Sequence, residues 1–366
     1  MRIAQVAPLT ESVPPQTYGG TERVVAYLTD ALVKLGHEVT LYASADSGTS
    51  AELRACCERS LRLAPEIGDP IEIHEQMMQR VLAESAEFDI IHFHTAWYEF
   101  PVFANCATPC LTTVHGRLDI PIMKQRLHEF RGFPLVSISD AQRLPVPDVN
   151  WVGTIYHGLP DVLAVADTGR HDYLVFLGRI SPEKRPDLAI EIARRAGWPI
   201  KIAAKVDPVD AAYFEAEIRP LLSLPGVEYV GELNEADKMR LLAGAHALLF
   251  PIDWPEPFGL VMIEAMACGT PVIAFRRGSV PEVLEPGVTG YIVDDVAQAA
   301  AAVADVCRLN RHRIRDVCRR RFSAMRMAAD HVQLYESLIA RHRPSRARLR
   351  KSVDAPFVQV GGLGGD

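Results

Sequence analysis

The sequence predicts an α/β protein with two doubly wound, Rossmann-like domains, and three observations support this prediction. The chain has 366 residues, more than twice the ~150 residues of an average domain. Short apolar runs alternate with helical patterns in two series, and a segment rich in Gly, Pro and Asp (158–172) separates them. Apolar residues make up 48% and charged residues 23% of the chain, which excludes a disordered or fibrous protein.

The first series opens with a strand–helix–strand unit. "RIAQVA" (2–7) predicts a buried strand, "TERVVAYLTDALVKLG" (21–36) a helix, and "EVTLYA" (38–43) a second strand. This spacing favours parallel pairing of the two strands. Three further apolar runs each end in a polar tip, at 88–94, 109–116 and 134–140. Doubly wound sheets place their ligand-facing loops at such tips.

The second series follows the segment 158–172. It predicts strands at 172–180, 200–206, 227–233, 247–252 and 271–275. We therefore expect an N-terminal domain over residues 1–160 and a C-terminal domain over 170–325. A last helix (326–342) is expected to pack back across the first domain, and the tail (343–366) is expected to be disordered.

Charge and cysteine content exclude several classes of protein. There are 46 acidic and 39 basic residues, and the resulting net charge of −7 gives no support to nucleic acid as the main partner. Seven cysteines are scattered without the spacing of zinc ligands, which favours a reducing compartment. The chain shows neither a leader peptide nor an apolar run of ~20 residues, so we expect a cytoplasmic protein without a membrane span.

The segment "WPEPFGLVMIEAMACGTPVIAF" (254–275) is the most informative part of the sequence. The proline after Glu256 disfavours helix before it and leaves Glu256 in a loop. A helix is expected to follow, and the backbone N–H groups of Phe258, Gly259 and Leu260 would lie unpaired at its start. Such groups suit an anion.

Glu264 lies eight residues after Glu256, about 10 Å along if most of the gap is helical. A carboxylate accepts both hydroxyl protons of a vicinal diol. The two glutamates therefore fit a ligand with a sugar at one end, a diphosphate in the middle and a ribose at the other end. The alternative is a packed helix with two incidental glutamates.

"FLGRISPEKRPD" (176–187) places two cations at the carboxyl end of a predicted strand. Arg179 follows a glycine and Lys184 comes five residues later, and no neighbouring acid is expected to neutralise both. This arrangement fits a diphosphate. The alternative is a set of surface salt bridges with Glu183 and Asp187.

Two weaker signals come from the first series. Gly19 and Gly20 precede a helix start with Thr21 as cap, where the backbone can approach a ligand closely, although the segment is not a GxGxxG motif. His115 lies at a strand tip in "TVHG" (113–116), where a structural histidine is the alternative.

Together these segments resemble the retaining glycosyltransferases of family 4, which have the GT-B fold, and the likeness covers nearly the whole chain. "EPFGLVMIEAMACGTPVIA" is similar to the family's E-x7-E signature, and "GRISPEK" to its Arg/Lys diphosphate clamp, although Arg185 stands where many members have glycine. "YGGTERVV" resembles part of the family's first βαβ unit, and "PEVLEPGVTGYIV" (281–293) its last loop and strand.

The resemblance implies a role for each candidate site residue in the predicted C-terminal domain. Arg179 and Lys184 would hold the diphosphate and Glu264 the ribose. Glu256, with the N–H groups of 258–260, would hold the donor sugar. The two domains would face a central cleft that contains this site.

The resemblance also implies roles for the first series. Gly20, beside Gly19, would approach the phosphates, His115 would lie near the reacting sugar, and the helix around Tyr335 would cross back onto the first domain. The catalytic residues would be Arg179, Lys184, Glu256 and His115, with no nucleophilic carboxylate assigned. Transfer would retain the anomeric configuration, with leaving-phosphate charge stabilised by the two cations and the helix N-terminus.

No metal and no cofactor are expected. His92 and His94 share one face of a predicted strand, but no third ligand lies within sequence reach, so core packing is favoured. No D-x-D sequence occurs, so a metal–diphosphate bridge has no support. A dehydrogenase would need GxGxxG between a strand and a helix, whereas the nearest string, "GGLGGD", lies at 361–366.

The expected partners are a nucleotide-sugar donor and a small-molecule, glycan or lipid-linked acceptor with a hydroxyl group. An epimerase, a phosphorylase and a non-catalytic nucleotide-sugar-binding protein remain as alternatives. Arg-rich segments at 311–321 and 341–351 fit solvated helix faces and a charged tail, or contact with anionic lipid if the acceptor is a lipid.

Overall fold

Two parallel β-sheets form the frame of the structure, a computed structural model that describes residues 1–16, 19–64, 66, 68–163, 165 and 169–342. All strand pairs in both sheets are parallel, and each sheet lies between helices. This arrangement confirms the predicted α/β class with two Rossmann-like units.

The first sheet has seven strands in the order β3-β2-β1-β4-β5-β6-β7. They are β1 (Arg2–Val6), β2 (Glu38–Ser44), β3 (Glu52–Cys57), β4 (Ile90–Phe93), β5 (Cys110–Thr113), β6 (Leu135–Ser137) and β7 (Trp151–Thr154). The accompanying helices are α1 (Gly20–Lys34), α2 (Pro70–Ala83), α3 (Phe100–Phe103), α4 (Pro121–Glu129) and α5 (Asp140–Arg143).

The second sheet has six strands in the order β10-β9-β8-β11-β12-β13. They are β8 (Leu174–Arg179), β9 (Ile200–Lys205), β10 (Val227–Gly231), β11 (Ala247–Phe250), β12 (Val272–Phe275) and β13 (Gly290–Val293). The helices are α6 (Pro186–Ala196), α7 (Ala211–Tyr213), α8 (Arg219–Leu222), α9 (Glu235–Ala243), α10 (Leu260–Ala267), α11 (Val280–Val283), α12 (Val296–Asp305) and α13 (Arg311–Arg321). A π-helical turn (Phe214–Ile218) joins α7 to α8.

Every strand predicted from an apolar run is present, but β3 and β7 were not predicted. Both are edge strands, and most of their residues are partly exposed. Central strands of a parallel sheet are buried on both faces and read as continuous apolar runs, whereas edge strands keep polar residues. β3, for example, contains Glu52 and Arg54.

The chain crosses between the two sheets twice, and the two crossings lie side by side. The Leu159 N–H donates to the Phe322 carbonyl, and the Ala324 N–H donates to the Leu159 carbonyl, each at 2.8 Å. The last helix, α14 (Ala324–His342), then packs on α1, which confirms the predicted return of the C-terminal helix to the first sheet.

The domain limits at 160, 170 and 325 stay predictions. Part of the segment 158–172 (164 and 166–168) and the tail 343–366 lie outside the described residues. Within the first Arg-rich segment, α13 buries an apolar face made by Ile314, Val317 and Cys318. Nearly all of the second Arg-rich segment lies beyond the described residues.

Candidate active site

A cleft of about 560 Å³ lies between the two sheets, on the side where their strands end. All of the residues that the sequence singled out as site residues line it: Gly19, Gly20, His115, Arg179, Lys184, Glu256, Phe258, Gly259, Leu260 and Glu264. The structure therefore brings the candidate site residues of both halves of the chain together in one cleft. Their individual roles stay predictions.

The floor of the cleft is the N-terminus of α10. The helix begins at Leu260, two residues later than the sequence predicted, because Gly259 adopts a left-handed conformation with φ of 82°. A Cβ at Gly259 would lie 2.7 Å from Met262 Cε, so glycine suits this position. In the described structure, no backbone carbonyl accepts a hydrogen bond from the N–H groups of Phe258, Gly259 or Leu260. These groups and the helix dipole favour an anion at this point.

Glu256 is buried in the loop before α10, and three neighbours hold it. Its Oε2 accepts hydrogen bonds from Trp254 Nε1 at 2.9 Å and from Lys184 Nζ at 2.5 Å. Behind it, the backbone of Gly278 approaches so closely that a Cβ there would lie 2.3 Å from the Glu256 carbonyl oxygen. Lys184 also lies over the Trp254 ring, with 4.7 Å between Nζ and the ring centroid.

Glu264 lies in the second turn of α10 and is paired with a residue that the sequence analysis missed. Glu264 Oε1 accepts a hydrogen bond from Lys238 Nζ at 2.5 Å, and both side chains are buried. Lys238 belongs to α9 and also lines the cleft. It precedes Met239 and lies one helical turn before Leu242, so a lysine on the apolar stripe of α9 was the available signal.

Arg179, at the end of β8, lies within a ring of carboxylates. Its Nε atom is 3.2 Å from Asp210 Oδ2. Its Nη atoms are 3.5 Å from Glu183 Oε2 and 3.8 Å from Asp207 Oδ2. Burial raises the pKa of Asp210, and the Arg179 charge opposes that rise.

Each cation has its own acidic partners, and no acid among the described residues contacts both: Arg179 lies beside Glu183, Asp207 and Asp210, and Lys184 pairs with Glu256. Asp207 and Asp210 come from the loop after β9, Glu183 from the loop after β8, and Glu256 from the loop before α10. The alternative prediction was a set of salt bridges with Glu183 and Asp187. Arg179 contacts Glu183. Asp187 instead forms a bidentate contact with Arg185.

Arg185 occupies a backbone conformation that suits glycine. Its φ is 54° and its ψ is 52°, in the left-handed region, just before α6 begins. A non-glycine residue in this region costs about 1–2 kcal/mol. In this chain the guanidinium bonds to Asp187 at 2.8 Å.

The first sheet supplies the opposite wall of the cleft. Gly20 begins α1, and a Cβ there would lie 3.7 Å from Leu260 Cδ1, so the two helix starts nearly touch. Glu22, in the first turn of α1, is buried in this wall, and burial raises its pKa to about 7. Arg23 pairs across the cleft with Glu235 at the start of α9.

His115 is half-buried and packs on a cluster of buried imidazoles beneath this wall. Its ring stacks on His157 with 5.2 Å between centroids, and its Nε2 lies 2.8 Å from His94 Nδ1. Burial lowers the pKa of His115 to about 3. His92 contacts Tyr335 and Thr113, each at 2.7 Å, so the predicted packing role of the His92/His94 strand face is what the structure shows.

The described residues contain neither a metal-binding cluster nor a helix that could span a membrane. No group of three or more His, Cys, Asp or Glu side chains has the arrangement of a metal site. None of the helices described here has both the length and the apolar character needed to cross a membrane.

Two family models match consecutive parts of the chain. Residues 18–166 match the model described as Glycosyltransferase Family 4, and residues 166–319 match the model described as Glycosyl transferases group 1. Glycogen synthase of Mycobacterium tuberculosis is 27% identical over 363 residues, which cover 84% of this chain and 86% of that protein.

Solved structures show the same architecture. AviGT4, a glycosyltransferase involved in avilamycin A biosynthesis, superposes with a TM-score of 0.73 and 25% identity, over 93% of this chain and 98% of that chain. Anabaena Alr3699/HepE in complex with UDP gives a TM-score of 0.70 over 92% of this chain and 100% of that chain. At 17% identity the second likeness shows the fold alone. The matches and the architecture agree that the chain belongs to glycosyltransferase family 4, whose members are retaining, nucleotide-sugar-dependent enzymes of the GT-B fold.

Proposed function

We propose that the cleft binds a nucleoside-diphosphate hexose and transfers the hexose to a hydroxyl acceptor with retention of configuration. One observation carries this proposal. The unpaired N–H groups at the start of α10 lie between two buried carboxylates, Glu256 and Glu264, and the cations Arg179 and Lys184 line the same cleft. A ligand with an anionic centre and a polyhydroxyl group at each end matches this order of groups.

The two ends of the donor are assigned by their glutamates. Glu264, held by Lys238, would accept the ribose hydroxyl protons. Glu256, held by Trp254 and Lys184, would accept hydroxyl protons of the hexose. Because both carboxylates are buried and fixed by partners, they would orient the donor with little loss of side-chain entropy on binding.

The diphosphate would lie between these ends, beside the start of α10. Arg179 and Lys184 would contact it, and the backbone of Gly19 and Gly20 would approach it from the first sheet. The carboxylates around Arg179 would prevent repulsion between the two cations before the donor binds. Two fixed cations and a helix N-terminus would stabilise the leaving phosphate as negative charge develops on it.

The transfer itself needs a base for the acceptor proton. A phosphate oxygen of the departing diphosphate would take that proton on the face where the bond to the sugar breaks. His115 would lie near the reacting sugar, where its neutral imidazole suits a hydrogen bond rather than a charge. Catalysis of this kind needs no divalent cation, and we expect turnover to persist in EDTA.

A two-stage experiment tests the proposal. A thermal-shift screen of UDP-, GDP- and ADP-hexoses identifies the donor, which should raise the melting temperature by mass action. Product analysis with that donor, labelled in the sugar, then follows the label. Transfer to an acceptor with retained configuration supports the proposal. Recovery of an epimerised nucleotide sugar would show that the protein is an epimerase, and recovery of a sugar phosphate would show that it is a phosphorylase. Recovery of unchanged donor would show that it only binds the nucleotide sugar.

A further inference from the structure

Each sheet has a topological switch point, where the order of its strands reverses, and doubly wound sheets bind ligands at the carboxyl edge of that point. In the second sheet the switch point lies between β8 and β11. Arg179 ends β8 and the loop that holds Glu256 follows β11, so the proposed donor groups lie where this rule places a ligand. In the first sheet the switch point lies between β1 and β4. The proposed function assigns no role to the residues directly after these two strands.

A strained turn follows β4. The Trp97 N–H donates to the Thr95 carbonyl at 3.1 Å across Ala96, whose φ is 76°. A three-residue turn with this φ is rare and unfavourable, and strained backbone of this kind clusters at ligand-binding sites. The buried Glu99 holds the turn, because it accepts hydrogen bonds from Thr95 Oγ1 at 2.7 Å and from Thr112 Oγ1 of β5 at 2.6 Å. The fold therefore maintains a conformation that alanine disfavours.

The turn carries two aromatic side chains beside the switch point of the first sheet. Trp97 and Tyr98 are both half-buried, and their ring centroids are 5.8 Å apart. Tyr98 stacks on His74 with 4.6 Å between centroids and 11° between ring planes. His74 Nε2 accepts the Leu9 N–H at 3.1 Å, so this one imidazole joins the loops after β1 and β4. The exposed parts of the two rings, called the aromatic platform, are therefore held in place by both loops.

The wall of the cleft on this side contains carboxyl groups. Glu11 and Glu22 are both buried and line the cleft, and Glu22 accepts a hydrogen bond from the Glu11 backbone. Arg23, Arg62 and Arg117 line the same wall, and each pairs with an acid. A carboxyl group exchanges hydrogen bonds with hydroxyl groups in either protonation state, whereas an ionised one repels phosphate. This wall therefore suits a neutral polyhydroxyl ligand better than an anionic one.

We propose that the acceptor is a neutral saccharide, bound at the switch point of the first sheet with the C–H face of one ring on Trp97. A pyranose ring has a face of C–H groups and a rim of hydroxyl groups. The aromatic platform matches the face and the carboxyl groups match the rim. The inference rests on the proposed function, because a hydroxyl group of this saccharide would receive the hexose. It disfavours sugar phosphates and lipid phosphates as acceptors.

Saturation-transfer NMR detects the contact without turnover. The probes are the methyl glycosides of glucose, galactose and mannose, with maltose and glucose 6-phosphate, each added to the protein with UDP, GDP or ADP. We expect saturation of the C–H protons of at least one neutral saccharide, loss of this signal in Trp97→Ala, and its retention in Trp97→Phe.

Trp198→Ala is the matched control for this experiment. Trp198 is also half-buried and stacks on a histidine, with 4.0 Å between its ring centroid and that of His246, but it lies in the second half of the chain. Its variant should keep the saccharide signal. A signal that persists unchanged in Trp97→Ala, or no signal from any neutral saccharide, would overturn the proposal.

Kinetics with the donor from the thermal-shift screen give a second readout. Trp97→Ala should raise the KM for the saccharide by about five- to tenfold and leave the KM for the donor within about twofold, because the ring contact belongs to the acceptor alone. Trp97→Phe keeps an aromatic face and should recover most of the loss, and Trp198→Ala should match the wild type. An equal rise in both KM values in Trp97→Ala would show a structural role and overturn the proposal.

Two outcomes separate this inference from the proposed function. Transfer to glucose 6-phosphate or to a polyprenyl phosphate, with neutral saccharides inert, would overturn the saccharide assignment and leave the proposed function intact. Saccharide binding that depends on Trp97, without transfer from any donor, would contradict the proposed function and leave the saccharide site standing.

Discussion

Each charged side chain proposed to hold the donor already has an oppositely charged neighbour. Lys184 pairs with Glu256, Lys238 pairs with Glu264, and Arg179 lies among three acids. A buried ion pair adds little net stability because both charges lose hydration, yet removal of one member leaves the other charge uncompensated. We infer that these pairs position the groups for a ligand, and that each variant needs a folding control.

At the level of single residues, Arg179→Ala and Lys184→Ala should lower kcat by about 100-fold or more. The reason is that negative charge on the leaving phosphate grows toward the transition state, where both cations act. Steady-state kinetics with the identified donor measure the effect, and circular dichroism checks folding. Arg276→Ala is the control, because Arg276 forms an exposed pair with Asp294 in the same half of the chain. Near-normal turnover in either cation variant would return that cation to a structural role.

Glu264→Gln should raise the KM for the donor by about tenfold and leave kcat within about twofold. A ribose contact is made equally in the ground state and the transition state, so its loss weakens binding without slowing the chemical step. The substitution leaves Lys238 without its carboxylate, so Lys238→Gln and the double variant complete the cycle. An unchanged KM with a collapsed kcat would show that Glu264 does not hold the ribose.

At the level of elements, the start of α10 depends on one glycine. Gly259→Ala should lower kcat/KM by about tenfold or more, because the left-handed backbone that aims the N–H groups into the cleft becomes unfavourable by about 1–2 kcal/mol. Gly287→Ala is a matched control: its φ of 74° is similar, and a Cβ there meets nothing within 4 Å. Both variants carry the strain of a positive φ, Gly259→Ala loses further stability because its Cβ would lie 2.7 Å from Met262 Cε, and only Gly259→Ala should lose activity. Equal activity in the two variants would remove the helix start from the mechanism.

The sequence allowed us to predict the buried central strands and the E-x7-E helix. It did not allow us to predict contacts between elements that lie far apart in the chain. The central strands and the E-x7-E helix leave local patterns that a single sequence displays. The Lys238–Glu264 pair depends on how α9 packs against α10, and the Tyr335–His92 contact joins residues 243 positions apart. The later start of α10 depends on the left-handed conformation of Gly259, where Phe250 and Met262 leave no room for a Cβ.

At the level of the whole molecule, four buried histidines and the half-buried His115 make stability depend on pH. His92, His94 and His157 have pKa values well below the usual range, and burial lowers those of His115 and His331 to about 3 and about 4. The stability that comes from keeping these rings neutral is present above the unfolded-state pKa near 6.5. It is lost as pH falls from 6.5 toward 4 and 3, because unfolding lets each ring take up a proton.

We therefore expect the free energy of unfolding to fall below pH 6.5 by about 1.4 kcal/mol per pH unit for each such histidine. Glu22 acts in the opposite direction, since its raised pKa makes the folded state bind a proton between about pH 7 and 4.5. Urea unfolding at several pH values measures the slope, and His331→Leu should reduce it by one proton. A slope that is the same in His331→Leu and the wild type would contradict this assignment.

The two halves of the molecule are held together by contacts that a hinge motion would break. Arg23 and Tyr27 on α1 both contact Glu235 at the start of α9. The two crossings near Leu159 and Ala324 are hydrogen-bonded to each other, so rotation about them is the motion that the connections permit. A donor that contacts both halves would add to the Glu235 contacts and exclude water from the reacting sugar.

We predict that Glu235→Gln opens the cleft of the free enzyme, because the neutral amide weakens the contacts to Arg23 and Tyr27. The radius of gyration from small-angle scattering should be larger in this variant than in the wild type, and a saturating nucleoside diphosphate should reduce it in both proteins, more strongly in the variant. UDP, GDP and ADP are measured in turn. Glu228→Gln is the control, since it breaks a pair with Lys201 inside the second sheet without touching α1. A radius of gyration that is the same in all three proteins, with and without nucleotide, would show that the cleft does not move and that Glu235 does not close it.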